Sequence, residues 1–135
     1  MRNVQEVPTA VEVTDLVYAR WNAGGLAVLT DSLDPEIELI CDPLRPEASS
    51  LRGHDGWREW VSRWEAHYQA MHVTIDGLIP LDPEHVLAFV SIEATPIGGS
   101  RPLRWAAAHV WTVREGRISR WETHLDLGAA RRTLD

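Results

Sequence analysis

The sequence contains no lysine: its thirteen basic residues are all arginine, against twenty acidic ones, for a net charge of −7 and a pI near 5.3. Such a surface repels phosphate backbones and anionic lipid, so neither nucleic acid nor a membrane is expected as a partner. Cysteine occurs once, at Cys41, which excludes an internal disulfide and a cysteine-based zinc site. No apolar run approaches the ~18 residues of a membrane span, and Met1 to Val7 lacks the apolar stretch of a secretory leader. A cytoplasmic location is the expectation. Phenylalanine occurs once and tyrosine twice, whereas tryptophan occurs seven times. With 135 residues and 44% apolar composition the chain can bury one core and hardly a second. One domain spanning 1–135 is expected, ordered over about 9–127.

The first helix announces itself. Thr9 as N-cap and Glu12 three residues later form a capping box, and Val13, Leu16, Val17 and Trp21 recur at helical spacing up to about Asn22. Ala23-Gly24-Gly25 ends it, a short second helix covers Leu26 to Ser32, and Asp34-Pro35 breaks that one. Glu36 to Cys41 alternates at period two before turning apolar on both faces, which predicts a strand entering a covered region. Asp42 to Leu51, with Pro43 and Pro46, reads as a loop leading through Gly53 and Gly56 to a third helix. Trp57, Trp60, Val61 and Trp64 form a stripe on that helix, which must lie on the sheet. Strands follow at Met71 to Ile79, Val86 to Ala94, Leu103 to Val113 and Ile118 to Leu125. Short connections between them predict an antiparallel meander, and the whole is an α+β plan.

Two turns are open to Arg114-Glu115-Gly116-Arg117. A two-residue turn would set Trp111 opposite Arg120 and His109 opposite Glu122; a three-residue turn with Gly116 as bulge sets Val113 opposite Arg117 and His109 opposite Trp121. The second segregates the faces better. It gathers Trp105, Ala107, His109, Trp111, Trp121, Thr123 and Leu125 on one face, taken as the inner, helix-covered side. The other face mixes Ala106, Ala108 and Val110 with Arg104, Arg120, Glu122 and His124, a composition suited to packing on a second subunit, so a homodimer through the outer sheet face is expected.

The runs Ala19 to Leu26, Leu33 to Leu39, Leu51-Arg52-Gly53 and Val113 to Ile118, in that order and spacing, resemble the SnoaL-like branch of the nuclear transport factor 2-like superfamily over roughly residues 10 to 130. The resemblance implies a cone-shaped, cystatin-like α+β barrel. In it a curved antiparallel sheet wraps three helices from the N-terminal half around a central cavity, with dimerisation through the sheet's outer face. The family includes polyketide cyclases, ketosteroid isomerases, epoxide hydrolases and dehydratases beside non-catalytic binding domains, so fold alone does not settle function. The isomerases' first-helix tyrosine aligns with Val17, next to Tyr18. Their base at the end of the first strand aligns with Ile40, two residues before Asp42, and their protonated acid in the penultimate strand aligns with His109. The acidic position of SnoaL-like cyclases falls on Thr123. With those roles unfilled, steroid isomerase chemistry is not expected.

His109, predicted to face a cavity walled by indoles, is the leading candidate for acid–base chemistry, since an apolar wall favours the neutral ring. Asp42 and Tyr18 are the further catalytic candidates. Trp21, Ile40, Trp57, Trp105, Trp111, Trp121 and Thr123 are the candidate ligand contacts, and a hydrophobic or aromatic small molecule is the expected partner. The alternative is a cone filled by its own indoles, acting as a non-catalytic binding or dimerisation module. No HxH or HxxxH pair and no glycine-rich phosphate loop occurs, so no metal and no cofactor is expected.

Overall fold

The structure, a computed structural model, describes residues 8–41 and 49–124; Asp42 and Leu125, named above, lie outside them. Helix α1 spans Ala10–Gly24. Its capping box is formed: the Glu12 N–H donates to Thr9 Oγ1 at 3.2 Å and the Thr9 N–H to Glu12 Oε1 at 2.9 Å. The helix buries Ala10, Val13, Thr14, Val17, Tyr18 and Trp21. Leu16, expected in that stripe, is 55% exposed. At about 100° per residue it points well away from the arc centred on Val17 and Trp21, whereas Tyr18 falls inside it. At the other end Asn22 docks the helix on the sheet, exchanging two 2.8 Å hydrogen bonds with the backbone of Val73.

A 3₁₀ helix over Leu26–Ser32 buries Leu26 and Leu29 and leads into β1, Leu33–Cys41. Next come β2, Ser49–Arg52, and helix α2, Gly53–His67, which buries Gly56, Trp57, Trp60 and Val61. The meander is β3 Tyr68–Pro80, β4 His85–Pro96, β5 Leu103–Arg114 and β6 Arg117–His124. The six strands lie in the order β2-β1-β6-β5-β4-β3, in a sheet that does not close. Two expectations are corrected. The segment expected to be all loop ends in β2, which pairs antiparallel with β1, and β1 runs parallel to β6, so the sheet is mixed. Short connections dictate antiparallel neighbours within the meander; they say nothing about where a strand separated from it by α2 will dock.

The final hairpin also departs from expectation. Arg114 pairs with Arg117, so the turn is the two-residue Glu115-Gly116, with φ of 53° and 79°, positive at both central residues as a type I′ turn requires. Two-residue register would have turned His109 toward Glu122. A bulge intervenes: Val113 pairs with Ile118 but Thr112 with Arg120, leaving Ser119 unpaired, its hydroxyl donating to the Thr112 carbonyl at 3.3 Å. One extra residue restores the parity. Trp111 thus lies opposite Trp121 and His109 opposite Thr123, and the face carrying Trp105, Ala107, His109, Trp111, Trp121 and Thr123 is kept together.

That face and the helices bury one main core. A smaller cluster of Leu87, Ala108 and Val110, with Ile79, Leu81 and Phe89 against it, lies on the other side of the sheet. Ion pairs flank it there: Glu38 meets Arg52 at 3.1 Å and Arg120 at 3.5 Å, and Arg120 meets Glu122 at 2.8 Å. Among the described residues no helix is long and apolar enough to cross a membrane.

Candidate functional site

A cavity of about 480 Å3 lies between the sheet and the helices, lined by Trp21 of α1, Trp60 and Trp64 of α2, Tyr68 and Met71 of β3, Ile92 of β4, Trp105, Ala106 and His109 of β5, and Trp121 and Thr123 of β6. Its depth follows from burial. Trp21, His109 and Trp121 are 1–2% exposed and make the floor, whereas Trp64, Tyr68, Met71 and Trp105 are half-buried at the mouth. A recess of about 110 Å3 shares Trp21, Trp64, Tyr68 and Met71 with it and brings Glu65 and Gln69 to the rim.

The indoles form a continuous network. Trp121 stacks on Trp111 at 4.3 Å between centroids and takes the edge of Trp60 at 4.8 Å and of His109 at 5.2 Å. Near the mouth Trp64 and Trp105 lie almost parallel, 6.1 Å apart. Under the floor runs a polar chain: the Trp111 indole N–H donates to Tyr18 Oη at 2.8 Å, and Tyr18 Oη meets His109 Nδ1 at 2.6 Å. Burial pushes the Tyr18 hydroxyl far above the usual phenol range. Burial, and after it the charge of His124, depress the His109 ring to about 3, so it is neutral at pH 7.

The structure thus brings Tyr18 and His109 into contact and sets Trp21, Trp105, His109, Trp121 and Thr123 on the wall. Three expected contacts are displaced. Trp57 is 1% exposed and packs behind Trp60 and Trp121, and Trp111 is fully buried behind Tyr18; neither lines the cavity. Ile40 pairs with Glu122 on the outer face, because Ile37 and Leu39, at 0% and 1% exposure, take the inward positions of a strand whose side chains alternate. Trp60 and Trp64 of the α2 stripe, not among the expected ligand contacts, belong to the wall together with Tyr68, Met71 and Ile92. The Trp60-Trp64-Tyr68 spacing of four residues was the available signal. Among the described residues no group of three His, Cys, Asp or Glu side chains could hold a metal ion.

The SnoaL-like domain model matches residues 14–121, most of the chain. The chain belongs to the SnoaL-like family. A search of curated proteins gives no match for this SnoaL-like domain. Solved structures share its fold at low identity. A protein from Jannaschia sp. CCS1, named as a SnoaL-like polyketide cyclase, superposes with a TM-score of 0.72 at 12% identity, covering 99% of this chain and 97% of that one. TerC, co-crystallised with polyporic acid, gives 0.73 at 20% identity over 93% and 97%. An LEH-like epoxide hydrolase of M. tuberculosis gives 0.68 at 16% identity over 93% and 88%.

Proposed function

We propose that this SnoaL-like domain binds a hydrophobic, ring-containing small molecule in the cavity beneath α1 and α2. The observation that carries the reading is the wall: a hollow of about 480 Å3 bounded by five indoles and a phenol, with no charged side chain among its lining residues. That volume lies within the range of small-molecule sites, and flat aromatic walls favour flat apolar ligands. The filled-cone alternative needs the indoles to close this space. The co-crystallisation of TerC, which shares the fold, with polyporic acid is in keeping with the reading.

Because the indoles surround the cavity, occupancy reports itself. Titration with the uncharged aromatic hydrocarbon fluorene is expected to change the tryptophan emission saturably, one ligand per chain. A flat response to fluorene and to a broad set of ring compounds contradicts a hollow site. The second part of the reading is self-association through the opposite sheet face, where exposed Ala106 and half-buried Ile79 surround the buried Leu87, Ala108 and Val110. Sedimentation at micromolar concentration is expected to give about twice 15.2 kDa, and a strict monomer contradicts it.

A further inference from the structure

The polar chain under the cavity floor has a direction, and the direction decides what His109 offers a ligand. An indole N–H can only donate, so Tyr18 Oη is the acceptor in its 2.8 Å contact with Trp111. The Tyr18 hydroxyl keeps its proton, and at 1% exposure that proton needs an acceptor. His109 Nδ1, at 2.6 Å, is the other partner of this oxygen among the described residues. If Nδ1 instead carried the ring proton, both neighbours would donate to Tyr18 Oη and its own proton would be stranded in the core, at the penalty of an unsatisfied buried donor. Tyr18 therefore donates to Nδ1. The neutral ring then carries its proton on Nε2, which has no hydrogen-bond partner among the described residues, on a side chain that lines the cavity.

The neighbouring groups point the same way. Trp21 and Trp121, whose rings lie 6.3 Å and 5.2 Å from His109, both carry a buried indole N–H with no acceptor among the described residues. Being donors, those indole groups cannot accept the Nε2 proton, and among the described residues no carboxylate lines the floor.

We infer that Trp111 and Tyr18 lock His109 as the Nε2–H tautomer, so that the cavity selects ring-containing ligands bearing a hydrogen-bond acceptor such as a ring carbonyl, and His109 holds that oxygen instead of acting as a base. The inference rests on the binding reading above and specifies it. Trp111 and Tyr18 are positioning residues; His109 is the group that meets the ligand.

The test compares fluorene with 9-fluorenone, which has nearly the same flat shape but carries a ring ketone. The wild-type affinity ratio of ketone to hydrocarbon is expected to fall about tenfold in His109→Leu, the equivalent of one buried hydrogen bond. In Tyr18→Phe, where Nδ1 is released, it is expected to fall severalfold. An unchanged ratio in His109→Leu overturns the inference. Nitrogen-15 NMR of the imidazole in the unliganded wild-type protein is the second measurement, valid even where a variant fails to fold. It is expected to show His109 with Nε2 protonated and Nδ1 bare, and with both tautomers mixed in Tyr18→Phe. A wild-type ring protonated on Nδ1 overturns the lock. Failure of both fluorene and fluorenone to bind contradicts the cavity reading itself, and the ring-nitrogen signature still decides the lock in the same sample.

Discussion

Replacing Trp111 by alanine is expected to destabilise the domain by about 3–5 kcal/mol, the range for removing a buried indole from a packed core. Trp111 is fully buried, stacks on Trp121 at 4.3 Å and meets the edges of Tyr18 and His109 at 5.4 Å and 5.7 Å. It also supplies the N–H that Tyr18 accepts, so the substitution removes a hydrogen bond together with the ring. Against a typical total stability of roughly 5–15 kcal/mol, the loss decides whether the chain folds at 37 °C. Urea unfolding measures it. Trp111→Phe separates the two contributions: it keeps most of the stacking and is expected to cost about 1–2 kcal/mol, chiefly the lost N–H donor. A near-neutral Trp111→Ala would mean that the indole faces solvent or a void, contrary to the register of the last hairpin.

The second large effect is a loss of stability in acid that belongs to His109. Its ring has an ordinary value of 6.5 when unfolded and about 3 in the folded core, because burial disfavours the charged form. Below pH 6.5 the unfolded chain binds a proton at this position that the native state does not. The contribution is therefore fully present above pH 6.5 and declines as the pH falls toward 3. The slope is about 1.4 kcal/mol per unit, for a total on the order of 5 kcal/mol. Carboxylates titrate in the same range, so the effect is read as a difference between wild type and His109→Gln. Stability curves from pH 7 to pH 4 are expected to fall more steeply in the wild type and to converge toward the variant in acid. Parallel curves would show that the ring is charged or solvated in the folded state.

Much of the architecture was legible because it depends on local rules. Thr9 and Glu12 satisfy each other's backbone whatever the tertiary context, and the Trp57-Trp60-Val61-Trp64 stripe permits only one orientation of α2 on a sheet. The inner face of β5 and β6 was read correctly through a turn that was not. The parity argument correctly required His109 and Trp121 to share a side, but it placed the extra residue at Gly116, whereas Gly116 completes a type I′ turn and Ser119 carries the bulge. Ile40 was misplaced because it was taken from the alignment with the isomerases' base, against the alternation of Glu36-Ile37-Glu38-Leu39, which sets Ile40 on the face of the two glutamates. The burial of Ile37 and Leu39 shows that the alternation begun at Glu36 continues through Ile40. The Tyr18 to His109 bond joins residues 91 apart in sequence, and no periodicity encodes such a contact. The parallel docking of β1 on β6 was hidden for the same reason, since it is settled by the packing of the whole sheet.

The most direct test of the central claim, a hollow apolar site with a hydrogen-bond donor at its floor, is a crystal structure of the protein soaked with 9-fluorenone. The account predicts a flat ring system held among Trp21, Trp60 and Trp105, its ketone oxygen roughly 3 Å from His109 Nε2. Indoles collapsed into the space, or a ketone turned toward the mouth with His109 unengaged, would contradict it.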